Sequence, residues 1–481
     1  MIATAGPNIP PEDFIAGWWR LRHRGDGAWG MITVSGQGVQ HDHVPGSNGH
    51  GNPINLLNNA GVDAYIRLGH DRYATSGGAG SENSQPIYLS DGQNTLGLAH
   101  NGNLPGKVVQ HLRTLLRTPL PDDASDSRVM TQLLLDFRPR FTTWEETFVA
   151  LLPRFQGAFS LACLTDEDAI YAIRDPWDIR PLCLGRKNNT WVVASESVAL
   201  DSMGATYMRE VEPGEIVCLR PDGRITATKY ASGAGERRCA LEPLYFSKID
   251  SIVDQETIRE QRQRLGELVG ARFLNKGKRE GFVVPILNSG KQVAIGVARA
   301  LGLPIAEEAI RLALDKRSFI QNTPATRTEV VNQKHVVNGE YIRGKCIILC
   351  DDSLVRGTSL IALLAKIREH NPAEIHILLG SEPVIDICEW GVDLPTRTEL
   401  FVYNLLQERP DWSNQDEYLS WLAKVEDLVA KELGVDSVTY LDRKSVNLAL
   451  NRTDDQLCRH CFGGKKPTED NPPTYRIELD I

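Results

Sequence analysis

Up to about residue 235 the chain alternates short apolar runs with Gly-containing turns: WGMITV, YIRLGH, LGLAHNG, AFSLACL, AIYAI, WVVASES and EIVCL. Each run has strand length and is bounded by turn residues, which predicts β-strands. Two stretches with helical character interrupt them, around residues 104 to 118 and 126 to 155. The first half therefore reads as a layered α+β domain. The segment ASGAGERR, residues 231 to 238, reads as a linker. From about 255 the rhythm changes to a charged helix (ETIREQRQRLGELVGARFL), a strand (GFVVPIL), a helix (KQVAIGVARALG), a strand (CIILC), a helix (LIALLAKI) and a strand (EIHILLGSEP). That alternation predicts a doubly wound parallel α/β sheet. The tail from about 410 reads as helical, DEYLSWLAKVEDLVAKELG, and ends in a polar segment containing proline.

At 481 residues the chain exceeds one ordinary core. The expected division is 1–235, 236–405 and 406–481. A net charge of -9, from 53 basic and 62 acidic residues, argues against a nucleic-acid partner, which needs a basic surface. The start, MIATAGPNIPPED, lacks the basic and apolar regions of a leader, and no apolar run approaches the ~20 residues that span a bilayer. A cytoplasmic protein without a membrane partner is expected. Nine cysteines, an odd number spread through a long chain, do not suggest a disulfide framework.

The candidate chemistry concentrates in CIILCDDSLVRGTSL, residues 346 to 360. Asp351 and Asp352 end an apolar strand, at the sheet edge where open α/β folds bind ligands. A short loop then leads into a helix. Its backbone N–H groups, with the Thr358 and Ser359 hydroxyls, suit a phosphate, while the paired acids suit sugar hydroxyls. The string resembles the phosphoribosyl pyrophosphate (PRPP) loop of type I phosphoribosyltransferases, in the form found in glutamine PRPP amidotransferases.

The resemblance extends over nearly the whole chain. HRGDG (23–27), LGHDRYATSG (68–77), QPI (85–87), LAHNGNL (98–104), SDS (125–127), IRDPWDIRPL (173–182) and ASESVALD (194–201) occur in order. Together they resemble the N-terminal-nucleophile, class II glutaminase domain of that family. The implied fold is a glutaminase-like α+β sandwich followed by a type I phosphoribosyltransferase domain. The resemblance gives Arg72 to the glutamine carboxylate, Asp126 to its ammonium, and Asn101 with the Gly102 N–H to an oxyanion hole. The family's nucleophile is an N-terminal cysteine whose own amine is the base. Here the chain begins Met1-Ile2-Ala3-Thr4 and its first cysteine is Cys163. A domain without glutamine hydrolysis is the expectation, and a misassigned start is the alternative.

For the second domain, the resemblance implies Mg²⁺ and ribose contacts at Asp351 and Asp352, with Ser353 and Val355, Arg356, Gly357, Thr358 and Ser359 around the 5-phosphate. Ser289, Gly290 and Lys291 of PILNSGK would form a pyrophosphate loop. Arg317, Arg327 and Lys334, in RSFIQNTPATRTEVVNQK, would close over it. The chain departs from the family at Asn288, where an acid is usual, and at Asn332 and Gln333, where basic residues are common. Cys458 and Cys461, with Cys239 and Cys388, match the ligand positions of iron–sulfur members and imply a [4Fe–4S] cluster; zinc is the other reading of CxxC. Cys163, Cys183, Cys218, Cys346 and Cys350 lie in apolar runs and are expected in the core. The reaction implied is transfer of ammonia or an amine to C1 of PRPP with release of pyrophosphate. The alternatives are the ordinary glutamine-dependent enzyme of purine synthesis and a non-catalytic PRPP- or nucleotide-binding regulator. The family's habit implies a homodimer or homotetramer.

Overall fold

The computed structural model describes residues 1–7, 9–25, 28–45, 63–72, 81–277, 280–312, 335–392, 394, 396–468 and 472–476. In the first half a seven-stranded and a six-stranded antiparallel sheet pack face to face. Alternation along the strand Ala28–Ser35 explains the layering. Ile32 and Val34 meet Ala162, Leu164 and Val217 of the second sheet, whereas Trp29 and Met31 meet Phe14 and Trp18 of the helix Pro11–Arg20. The outer face of the second sheet, with Leu161, Cys163 and Tyr171, is covered by Val129, Leu133 and Phe148 from the helices Asp126–Phe137 and Trp144–Leu151. The result is a helix–sheet–sheet–helix sandwich.

The helical stretch expected over 126–155 is two helices. Pro139 cannot continue the first, and a short 3-10 turn, Arg138–Arg140, follows it. Thr143 then begins the second with a capping box, its hydroxyl accepting from the Glu146 N–H at 3.2 Å while the Glu146 carboxylate accepts from the Thr143 N–H at 3.2 Å. The stretch expected over 104–118 shortens to Gly106–Leu115.

In the second half four parallel strands run in the order Phe282–Pro285, Cys346–Asp351, Glu374–Leu379, Ser437–Thr439. Ile348 and Cys350 face the helices Ile258–Leu274 and Lys291–Leu301; Ile347 and Leu349 face Thr358–Arg368 and Gln415–Leu433. The segment expected as a helical extension thus supplies the sheet's fourth strand and a covering helix. Its apolar periodicity was legible, but a three-residue strand carries too little pattern to be read. The end of the chain returns to the junction between the halves. Leu457–Cys458 pairs in parallel with Arg238–Cys239, and Thr474–Tyr475 pairs with Ala231–Ser232, so the expected linker is held on two sides. Among the described residues no helix is long and apolar enough to cross a membrane.

The helices Ile258–Leu274 and Lys291–Leu301 cross at Gly266 and Gly296. A Cβ on Gly266 would lie 2.0 Å from the Val293 carbonyl oxygen, and one on Gly296 would lie 2.0 Å from that of Gln263. Helix propensity alone favours Gly266→Ala by about 1 kcal/mol. Contact with rigid backbone should win, so Gly266→Ala and, more strongly, Gly266→Val should lower the apparent melting temperature in a thermal scan.

Candidate active site

Parallel strands end in loops at one edge of the sheet, and there Asp351 and Asp352 stand beside the start of Thr358–Arg368. Gly357, at φ 77°, makes the turn into this helix; a Cβ there would meet the Phe401 ring at 2.5 Å. Among the described residues no side chain caps the helix, and its first residues, Thr358 and Ser359, line the cleft. The cleft encloses about 690 Å³, within the ~300–1,000 Å³ usual for small-molecule sites. Its walls include Asp351, Asp352, Ser353 and Val355 to Ser359 from this loop, with Asn288 and Ser289 from the neighbouring one. Ser289 donates to Asp351 Oδ1 at 3.2 Å, the Asp352 N–H donates to the same oxygen at 2.9 Å, and Ser353 donates to Asp352 Oδ2 at 2.8 Å. Withdrawal from water, then the adjacent Asp352 charge, pushes the Asp351 carboxyl well above the usual carboxylate range. Two clustered carboxylates of this kind are hard oxygen donors that favour a divalent cation.

Three sequence-derived candidates behave differently. Gly290 packs its backbone against the acid-bearing strand: a Cβ would lie 2.2 Å from the Cys350 carbonyl oxygen. Lys291 is not among the residues that line the cleft and pairs with Glu307 at 2.8 Å. Arg356 lines the cleft and pairs with Glu399 at 2.8 Å. Arg317, Arg327 and Lys334 lie outside the described residues, as do Asn332 and Gln333. Tyr245, Lys248 and Arg262 also line the cleft. They follow the first domain in sequence and belong to none of the loop motifs, so only the fold brings them there.

The second pocket lies at the end of the strand Ile2–Ala5, lined by Met1, Arg72, His100, Asn101, Gly102 and Asp126 among others. The Met1 α-amino group donates to Ser195 Oγ at 3.1 Å, and burial lowers its pKa to about 5, leaving it an uncharged base at neutral pH. Asp126 accepts from the Leu104 N–H at 3.0 Å and the Ser127 N–H at 2.7 Å. Its charge opposes the lowering that burial imposes on Arg72. Asn101 presents a buried Nδ2 with no hydrogen-bond partner among the described residues. Gly102 has φ 152° and a Cβ there would lie 2.1 Å from the Ala158 carbonyl oxygen. These residues hold two opposite charges, an unspent amide donor and a neutral amine around one pocket. No cysteine is among the described residues that line it. Burial alone pushes the Cys163 thiol far up, inside the helix-covered face of its sheet.

The two sites adjoin. Phe246 lines both, and Gly391 of the second half closes the first pocket against Gly102. Arg180 Nη1 pairs with Glu242 at 3.2 Å and its Nη2 donates to the Gly391 carbonyl at 3.1 Å; Asn103 donates to the Glu389 carbonyl at 3.0 Å. Arg24, from the HRGDG segment, pairs with Glu196 at 2.8 Å and with Glu242. That segment was recognisable, but its place across the domain boundary was not.

Cys239, Cys388, Cys458 and Cys461 converge beneath this boundary. Cys239 and Cys458 are register partners, and the peptide N–H groups of Ile385 and Asp386 donate to the Cys461 carbonyl at 2.9 and 3.0 Å. Burial first, then the neighbouring thiols, raises the Cys458 and Cys461 pKa values well above the ordinary thiol value, while Arg180 lies close to Cys239 and Cys388. Among the described residues, the trio of potential ligands lying within 4.8 Å of one another is elsewhere, at Cys346, Glu374 and His376.

The fold and paired sites define a two-domain enzyme, an N-terminal-nucleophile glutamine amidotransferase domain followed by a type I phosphoribosyltransferase domain. A glutamine amidotransferase domain family matches residues 70–202 and a phosphoribosyl transferase domain family matches 254–379. The chain belongs to the amidophosphoribosyltransferase family and is a phosphoribosyltransferase of the glycosyltransferase class. It is 32% identical to the amidophosphoribosyltransferase of Mycobacterium tuberculosis over 458 residues, covering 94% of this chain and 83% of that one. It is 29% identical to that of Bacillus subtilis over 472 residues, covering 96% and 93%. The structure of glutamine PRPP amidotransferase from B. subtilis, complexed with ADP and GMP, superposes with a TM-score of 0.81 at 28% identity, covering 98% of each chain.

Proposed function

We propose that the protein transfers ammonia, or a small amine, to C1 of PRPP at the Asp351–Asp352 cleft, without hydrolysing glutamine itself. The observation that carries the transfer is the juxtaposition of two clustered carboxylates with an uncapped helix start in one cleft. Asp351 and Asp352 would hold Mg²⁺ or the ribose hydroxyls, and the loop Val355 to Ser359 would hold the 5-phosphate. When bound, Mg²⁺ supplies charge neutralisation for the leaving pyrophosphate. The amine lone pair forms the new C–N bond as the C1–O bond breaks; pyrophosphate leaves with that electron pair, and the ammonium formed gives up a proton to solvent. Orientation by the two loops and electrostatic support of the cationic sugar supply the acceleration.

The absence of a thiol from the lining of the first pocket supports the lack of glutaminase activity. The glutamine-dependent reading is favoured by Arg72, Asn101, Gly102 and Asp126 standing together, and by the wall at Phe246 that the two pockets share. Sequencing the N-terminus of the native protein and assaying glutamate release decides between them. Met1 at the terminus with no glutamate formed is the expected result; an N-terminal cysteine with thiol-dependent glutamate release selects the second.

The four converging cysteines suit a [4Fe–4S] cluster with a structural role at the domain junction, beside the Arg180 cation. Assembly as a homodimer or homotetramer is part of the same proposal.

A further inference from the structure

Cys346 was expected in the core, yet it is half-buried at the amino end of its strand. Glu374 is its register partner on the next strand, and His376 lies two residues further along the same face. Their ligand atoms all lie within 4.8 Å of one another, with His376 Nε2 at 2.9 Å from Glu374 Oε2. Ser437, the register partner of His376 on the fourth strand, holds Nδ1 at 2.7 Å. The Phe273 ring packs against the imidazole at 5.2 Å. One imidazole nitrogen is thereby fixed, and the other is directed at a carboxylate and a thiol, which is how protein scaffolds orient a metal-binding histidine.

We propose that Cys346, Glu374 and His376 form a zinc site at the edge of the parallel sheet opposite the catalytic loops. Sulfur, nitrogen and oxygen donors together suit zinc better than magnesium or calcium, which take oxygen alone. His376 is 2% exposed, while the Glu374 side chain is 45% exposed, so the site has a rigid floor and an open mouth where water takes the fourth position. The ion ties the Cys346–Asp351 and Glu374–Leu379 strands together. Asp351 lies five residues along from Cys346, roughly 17 Å at 3.3 Å per residue, so the site acts on the stability of the sheet and not on substrate contact.

The test uses the full-length protein and compares wild type with Cys346→Ser and Glu374→Gln, all of which keep the four cysteines at the junction. Cobalt added as a zinc substitute should bind wild type with one more equivalent than Cys346→Ser and give a thiolate-to-cobalt charge-transfer band that Cys346→Ser lacks. Glu374→Gln keeps a hydrogen-bonding group beside His376 and should retain the fold while weakening binding at least tenfold. Zinc should raise the melting temperature of wild type more than that of either variant. Equal stoichiometry and identical spectra in wild type and Cys346→Ser would overturn the proposal, and would make Glu374–His376–Ser437 a hydrogen-bonded chain that satisfies a buried histidine.

Discussion

Replacing both Asp351 and Asp352 by asparagine should abolish PRPP-dependent pyrophosphate release. Removal of one electrostatic contact to a transition state commonly costs on the order of 10²–10³ in rate, and here two charges are lost from one cleft. The fold should survive, because asparagine keeps the size and acceptor oxygen of each side chain while relieving the repulsion that raises the Asp351 pKa. A pH dependence follows from that shift. Asp351 binds its proton more tightly than an ordinary carboxyl because it is withdrawn from water beside Asp352. Magnesium–PRPP favours the ionised pair, so affinity should rise with pH through that titration and a proton should be released on binding. Calorimetry in buffers of different ionisation enthalpy measures the release; a binding heat that does not depend on the buffer at any pH would contradict it.

The second large effect is expected at the junction. Cys458→Ser or Cys461→Ser should yield protein without the brown colour and the roughly four irons per chain that a [4Fe–4S] centre supplies in anaerobically purified wild type. Loss of a metal centre belongs with the changes that cost more than ~4 kcal/mol. Each kcal/mol shifts the midpoint by about 2–4 °C in a domain of this size, so a fall of roughly 10 °C is expected. The reason is local: Leu457–Cys458 and Thr474–Tyr475 each make only a two-residue pairing with the junction, too short to hold alone. Iron content and melting temperature unchanged in both variants would reject these ligands.

Much of the architecture was legible because its signals are local. The strands of the first half are short and bounded by turns, and the helix–strand alternation after residue 255 has one simple solution, a parallel sheet. The acids and the helix start of the DDSLVRGTS string were equally legible, since strand, loop and helix are contiguous in sequence. What escaped notice depends on distant pairing. Ser437–Thr439 becomes a strand only because Glu374–Leu379 offers it an edge. Tyr245, Lys248 and Arg262 reach the cleft from a stretch some ninety residues before its acids, and Arg24 and Arg180 meet at Glu242 across the domain boundary. Lys291 shows the converse: its position in a loop motif pointed to a ligand, and a nearby Glu307 has drawn it to the surface.

Pyrophosphate release from PRPP by the purified protein with Mg²⁺, measured with ammonia and with glutamine as separate nitrogen donors, decides whether the Asp351–Asp352 cleft is an ammonia-dependent transferase. Pyrophosphate and a stoichiometric phosphoribosylamine are expected with ammonia, and neither with glutamine. Absence of pyrophosphate release at saturating ammonia and PRPP, from protein that binds PRPP, would contradict this.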